Sequence, residues 1–423
     1  MFLKNAAKGD KQMGKGKQMN KWLLLVVICL GGGIIYIFPY IQYSYYDSMM
    51  AEMGLSNVQM GNLMSLYGAL NLIGYFFGGM VADKFKYKYL ITFSLIGTGI
   101  SGFVFASAPP YAVLLAVSAF WSITTVFTYW PAMMKAVKLL GSQDEQGKMF
   151  GFREAGFSLM SLIFTSVGLV IFNGTGEKFS NLLIFYSIVY ILCGLASLFL
   201  LPGQDDADTK NENSVFYGLG YVLKSPKVWV AGGVIFFAYS VGITLGKFAP
   251  YLTGVFKMSV SVAAMVSIIN EYAIPNGGAV AGGLLVDKAK SSSKVILVGF
   301  ILMGILLTGF VAVPGKASLL YVVITLGFSI KLMQSALRGI YFVPVSEIGI
   351  PDKYIGTAIG VISVIGFLPD AFLQTVWGSI LDSHEIEAGY KMMFSTLIVF
   401  CVVGAVLTVV LKKMVDSRKK AEE

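Results

Sequence analysis

Residues 79–86 read Gly79-Met-Val-Ala-Asp83-Lys84-Phe-Lys86, and residues 283–290 read Gly283-Leu-Leu-Val-Asp287-Lys288-Ala-Lys290. Each stretch ends a long apolar run with a glycine, an acid four positions on, and a base directly after it. The same offset pairs Gly74 with Gly278 and Gly78 with Gly282. A weaker echo pairs Gly147 and Gly151 with Gly356 and Gly360. The chain thus repeats itself once. Internal repeats in a membrane protein point to a solute site between the repeats, near the bilayer midplane.

The surrounding sequence is that of a membrane protein. Of 423 residues, 56% are hydrophobic and 13% charged, with mean hydropathy +0.74. A soluble domain carries about 25% charge, and a helix crosses a bilayer in about 20 apolar residues. Twelve such spans are expected, at 22–46, 58–81, 88–107, 111–139, 148–172, 181–201, 228–252, 259–283, 294–313, 318–346, 355–380 and 390–412. The fold class is an all-α membrane protein: twelve transmembrane helices in two pseudo-symmetric six-helix halves. Its parts are a basic segment 1–21, a first half 22–201, a polar linker 202–227, a second half 228–413 and a tail 414–423. A short interfacial helix is expected at Val215–Leu223.

The net charge of +9 resembles a nucleic-acid signal until it is located. Lys4, Lys8, Lys11, Lys15, Lys17 and Lys21 crowd one terminus, and Lys412, Lys413, Arg418, Lys419 and Lys420 the other. Basic clusters flanking apolar spans mark the cytoplasmic side. Lys84, Lys86 and Lys88 after the second span agree with Lys288, Lys290 and Lys294 after the eighth, whereas Asp47, Glu52, Asp382, Glu385 and Glu387 fall in the opposite loops. Lys257 and Lys316 are exceptions. Both termini are therefore expected in the cytoplasm, in a plasma (inner) membrane, with no nucleic-acid partner. The first apolar run lacks a small-residue cleavage site and is expected to stay as a helix.

Several chemistries are excluded. Cys29, Cys193 and Cys401 stand alone in apolar spans, and His384 is the only histidine. No metal site, histidine relay or disulfide framework can be built from them. No G-x-x-x-x-G-K-[ST] phosphate loop occurs, nor any nucleophile elbow. No catalytic residues and no cofactor are expected, and the chain is not expected to be an enzyme.

The stretch Gly79-x-x-x-Asp83-Lys84-x-x-x-Lys88 resembles the signature between the second and third spans of the major facilitator superfamily, with Lys86 where a second glycine is usual. The resemblance covers the whole chain and implies secondary transport by alternating access. In that family this cluster latches the halves together at the cytoplasmic side. The resemblance therefore implies a gate at Gly79, Asp83, Lys84 and Lys88, with Asp287 and Lys288 as its second-half copy. More loosely, Trp130-Pro131, Lys135, Gly141, Gln146-Gly147, Phe150-Gly151 and Glu154 resemble bacterial members likened to nitrate or sugar-phosphate porters, which implies a small anionic solute.

Charges inside the spans carry the chemistry. An ionisable group at a helix centre costs about 2.5–3.5 kcal/mol on insertion scales, yet Lys247, Glu271, Lys331, Arg338 and Asp370 fall within second-half spans. They must pair, face water, or both. Lys331, Gln334, Ser335 and Arg338 follow i, i+3, i+4, i+7 and share one helix face. Ser240, Thr244 and Lys247 do the same in the seventh span, as do Ser363, Phe367, Asp370 and Gln374 in the eleventh. These stripes suggest one common cavity.

Two readings stay open for each charge. Lys247, Lys331 and Arg338 bind an anion, with Arg338 able to fork onto a carboxylate or phosphate, or they belong to a structural ion-pair network. Glu271 and Asp370 either carry protons or serve as permanent partners of the cations. In the first half, Arg153 and Glu154 read as a gate pair and Lys135 as a gate or interface residue. Tyr43, Tyr67, Asn71, Thr124, Thr125 and Thr128 can supply hydrogen bonds, although interfacial anchoring explains several tyrosines equally well. The expected partners are a small-molecule substrate (foremost an organic anion such as a carboxylate, sugar acid or phosphorylated compound), membrane lipid and protons. The chain is expected to act as a monomer. A neutral or amphipathic solute, or a sensor role, are the alternatives.

Overall fold

The computed structural model describes residues 21–140, 145–203, 218–351 and 354–422. The basic segment up to residue 20 and most of the expected linker, including Val215, lie outside the described residues. All regular structure among them is helical: α1 (Lys21–Ile35), α2 (Gln42–Met53), α3 (Asn57–Lys84), α4 (Tyr87–Ala106), α5 (Tyr111–Ser122), α6 (Trp130–Leu140), α7 (Gln146–Gly174), α8 (Phe179–Leu200), α9 (Leu219–Lys224) and α10 (Pro226–Thr244). There follow α11 (Phe248–Phe256), α12 (Val260–Ile268), α13 (Ile274–Ala289), α14 (Ser292–Ala312), α15 (Leu320–Ile340), α16 (Val343–Glu347), α17 (Ile355–Phe367), α18 (Leu373–Ser383) and α19 (Ile386–Glu422). The short α9 overlaps the expected interfacial helix.

Among the described residues, nine helical stretches are long and apolar enough to cross a membrane, ten if the two bent arms of α3 count as one span. The first and eighth expected spans fall short for a physical reason. α1 is only 15 residues long and gives way to turns at Tyr36–Ile41 before the polar α2. The α12–α13 run carries Asn270, Glu271, Pro275 and Asn276 in and beside a π turn, Ile269–Ala273, and this polar content sets it apart from the other spans.

Two apolar cores form. One gathers residues from Leu24 to Leu201 and includes Ala264, while the other runs from Val222 to Val415. The polar groups of the fourth span knit the first core together rather than lining a cavity. Thr125 meets the Tyr67 hydroxyl at 2.9 Å, Thr128 meets Ser94 at 2.7 Å, and Thr98 donates to Thr124 at 2.7 Å. The π turn Ile123–Tyr129 carries all three fourth-span threonines.

The two ends of the bundle differ. At the end away from Lys21 and Arg418, here the far end, the cores touch. Asp382 accepts from the backbone N–H of Asn57 (3.1 Å) and of Val58 (2.9 Å) and from the Asn57 side chain (2.8 Å). Thr253 donates to Asp47 (2.6 Å), Ser267 to the Tyr43 carbonyl (2.7 Å), and Ser261 to Glu177. The α3–α18 seam is closed backbone to backbone: a Cβ on Gly61 would stand 2.3 Å from the Gln374 carbonyl oxygen, and one on Gly378 2.2 Å from that of Asn57. At the other end, the near end, Gly79 on α3, Gly151 on α7, Gly277 and Gly283 on α13, and Gly356 and Gly360 on α17 face open space. The halves are joined at the far end and, midway, by Ser158 donating to Asn276 at 2.9 Å, while these near-end glycines have no close neighbour.

Candidate functional site

Midway along the bundle the helices lose regularity, and the two carboxylates expected inside second-half spans, Glu271 and Asp370, sit at such breaks. Glu271 lies in the π turn Ile269–Ala273, and Asp370 in the 3₁₀ turn Leu368–Ala371. Pro369 explains the second break, because proline cannot donate to the helical ladder. Non-helical backbone at membrane depth is tolerated where it is buried in protein or lines a wet cavity, and single π turns often mark functional sites.

Lys331 on α15 reaches Glu271 at 2.6 Å, with side chains 7% and 15% exposed. Asn270 donates to the other Glu271 oxygen at 3.0 Å, while its own carbonyl oxygen is buried without a partner. Gln334, one turn along, is buried against Gly242 of α10. The cation of Lys331 is thus already matched.

Asp370 accepts the Tyr239 hydroxyl at 2.6 Å and packs against α3, where a Cβ on Gly68 would stand 2.5 Å from its backbone oxygen. Arg338, two turns from Lys331, is exposed and makes no ion pair among the described residues. Its guanidinium lies within electrostatic range of Tyr40 and Tyr75 of the first core and of Tyr239, Tyr341 and Asp370 of the second. Phe342, one turn beyond Arg338, packs on Phe367 at 6.3 Å, and Phe367 packs in turn on Tyr239 (4.8 Å) and on Tyr75 of the first half (6.3 Å), so Arg338 lies near the seam between the halves.

Tyr43 and Asn71 approach the same region. The Tyr43 hydroxyl and the Asn71 carbonyl oxygen are buried without partners. Tyr43 is in electrostatic range of both Asp370 and Glu271.

Lys247 lies apart from this group. It lies in the 3₁₀ turn Leu245–Lys247 at the far end, 2% exposed, with its ammonium 4.0 Å from the centre of the Tyr46 ring. Its acidic neighbours there are Asp382 and Asp47. The 3₁₀ turn displaces its side chain from the regular seventh-span stripe.

The near-end residues are apart rather than latched. Asp83, Lys84, Asp287 and Lys288 are exposed, and Lys88 is half-buried. No ion pair involving Asp83 or Asp287 occurs among the described residues. Arg153 pairs with Glu154 and lies over the rings of Trp130 (5.1 Å) and Phe157 (5.3 Å). Lys135 donates to the Ala82 carbonyl at 3.0 Å, joining α6 to the end of α3.

Sequence reasoning missed the tyrosines at positions 40, 75, 239 and 341. Their signal was present, since Tyr239 precedes the polar stripe of the seventh span and Tyr75 lies one turn beyond Asn71. Aromatic residues in apolar runs read equally well as filling, and only the fold shows which ones face inward.

The model of the family described as Major Facilitator Superfamily matches residues 22–372. The chain is 32% identical over 411 residues to the inner membrane protein YihN of Escherichia coli (strain K12), covering 95% of this chain and 97% of that one. It is 30% identical over 384 residues to the inner membrane protein YqcE of the same organism, covering 88% and 90%. Among solved structures it resembles a bacterial homolog to the human lysosomal transporter Spinster in an inward-facing and unoccupied conformation. That match has a TM-score of 0.75 and 14% identity, over 95% of this chain and 99% of that one.

Proposed function

This chain belongs to the Major Facilitator Superfamily, and from that premise we propose that it moves a small organic anion across the membrane by alternating access. A transport protein of this family carries out no covalent chemistry on its solute. What must be explained is which groups meet the solute and what drives it.

The observation that carries the anion reading is Arg338. An arginine is always charged, and a charge at membrane depth is costly unless it faces water or a partner. Arg338 is exposed between the two cores without an ion pair among the described residues. Its planar fork suits a carboxylate or a phosphoryl group. In this reading Lys331, Gln334, Asn71 and Tyr43 line the same site. The Lys331–Glu271 pair and Asp370 are where a proton or the entering anion exchanges partners, giving proton coupling or anion exchange. Kinship with nitrate-porter-like or sugar-phosphate-porter-like members belongs to the same reading.

The twelve-span arrangement in two halves, 22–201 and 228–413, fits the two apolar cores and the sequence repeat. The basic near end is read as cytoplasmic, in an inner membrane, which makes the present state open to the cytoplasm. Asp83, Lys84, Lys88, Asp287 and Lys288 are then gate residues that would meet when the near end closes. Lys247 belongs to the far-end closure. The chain is read as a monomer.

A second reading has one observation in its favour. Lys331 is matched by Glu271, and Asp370 feels the positive charge of Arg338, so a neutral solute would find a balanced site. Uptake into proteoliposomes decides between them. Labelled organic anions should be taken up by the wild-type protein and at least about tenfold less by Arg338→Gln, the loss of one charge-assisted contact. Uptake of neutral solutes alone, unaffected by that change, would overturn the anion reading.

A further inference from the structure

The site is unusual in what surrounds its arginine. Tyr40 and Tyr75 come from the first half, Tyr239 and Tyr341 from the second; Tyr75, Tyr239 and Phe342, the last one turn beyond Arg338, all pack on Phe367, and the Tyr239 hydroxyl is given to Asp370. The rings are held in place by aromatic contacts behind them. Tyr40 packs on Tyr67 at 5.8 Å, while Tyr239 and Tyr75 pack on Phe367 at 4.8 and 6.3 Å. Tyr75 is 51% exposed, and Tyr40 and Tyr239 are half-buried. The Tyr40 and Tyr75 hydroxyls make no hydrogen bond among the described residues.

From this arrangement we infer that the solute is a polyhydroxylated organic anion, with its charged group on Arg338 and its hydroxylated body between the tyrosines. The inference rests on the anion reading above and extends it to the rest of the molecule carried. Phenol hydroxyls stripped of water need partners, and leaving them unmet costs about 1–3 kcal/mol each. A site built to bond hydroxyls therefore rejects an analogue that lacks them far more strongly than a greasy pocket rejects an added hydroxyl. Ring faces also provide flat apolar area for the C–H faces of a sugar-like body. A bare inorganic anion can accept from a hydroxyl beside Arg338 but leaves the tyrosine faces unused, and a fatty acid would satisfy the faces but not the hydroxyls.

The test is ligand-induced stabilisation and calorimetric binding on the full-length, detergent-purified chain. The probes are glucuronate, glucose 6-phosphate, hexanoate, nitrate and glucose. Binding to the folded state raises its apparent stability by mass action. Glucuronate or glucose 6-phosphate should bind at least about tenfold more tightly than hexanoate and nitrate, the discrimination that unmet hydroxyl partners impose. Tyr40→Phe and Tyr75→Phe keep the rings and remove only the hydroxyls. Each should weaken the hydroxylated anion several-fold and leave hexanoate unchanged. Hexanoate binding as tightly as glucuronate, or no measurable binding of either hydroxylated anion at millimolar concentration, overturns the inference. Organic anions binding regardless of hydroxyl content sinks it while the anion reading stands. Glucose binding as tightly as glucuronate instead removes Arg338's assigned role, and with it the anion on which this inference depends.

Discussion

The carboxylate of Asp382, at the end of α18, caps the first turn of α3 by accepting the backbone N–H groups of Asn57 and Val58 at 3.1 and 2.9 Å. An acid from the second core thus serves as the anionic cap of a first-core helix. A helix N-terminus carries unsatisfied donors and partial positive charge, so the contact is charge-assisted, and it forms only while the far ends are together. Asp382→Asn removes the charge and keeps the shape. It should shift the balance toward far-end opening by roughly tenfold, the worth of one charge-assisted bond. Spin-label distances between α3 and α18 would lengthen at the far end, and an unchanged distance distribution would show that the cap is incidental.

Lys331 and Glu271 are both shielded from solvent. Removing one partner leaves the other buried and unmatched, which typically costs about 3–5 kcal/mol. Lys331→Gln should therefore lower the thermal unfolding temperature markedly. The double variant with Glu271→Gln should recover most of that loss. Equal melting of the single and double variants would mean that the pair is already open to water.

Glu271→Gln alone tests proton coupling. If Glu271 gains and loses a proton in each cycle, uptake measured across a pH range becomes flat in this variant. Accumulation against a gradient is lost, while solute exchange persists. A pH profile that keeps its wild-type shape would leave Glu271 as a fixed partner of Lys331.

Lys247 offers a contrast. It was expected to face the same cavity as Lys331, and it lies at the far end over the Tyr46 ring. Lys247→Gln should leave solute affinity within about twofold of wild type, since no contact to the site is lost. The same change should alter the far-end distances probed for Asp382. A large loss of affinity with unaltered distances would return Lys247 to the binding site.

The architecture was legible because its signals are long-range and repeated. The copies at Gly79–Lys86 and Gly283–Lys290, the basic ends and the apolar runs each reported on the same fold. The Lys331–Glu271 pair was legible as a need, since buried charges must match, but the partner itself was not. What sequence periodicity could not reveal were the breaks. A regular helix is assumed when a stripe such as Ser240, Thr244 and Lys247 is read at spacings of three and four, and the 3₁₀ turn at Leu245 ends that assumption. Prolines mark both breaks: Pro369 lies beside Asp370, and Pro275 cannot donate to the Glu271 carbonyl one turn before it, which favours the π turn that holds Glu271. Asp83 and Asp287 were legible as a motif, but in the state seen here their ends of the bundle stand apart.

The matched charges between the cores also bear on how the membrane voltage acts. With all four groups ionised, Lys331 with Glu271 and Arg338 with Asp370 sum to zero. Moving one elementary charge through the field is worth about 2.3 kcal/mol per 100 mV. The empty carrier, to the extent that these four groups sense the field, reorients with no such term. A bound monoanion adds the whole of it, so an interior-negative potential opposes inward passage of the loaded form and leaves the return step indifferent. Unless two or more protons accompany each monoanion, or a more highly charged anion leaves in exchange, net uptake is not accelerated by the voltage.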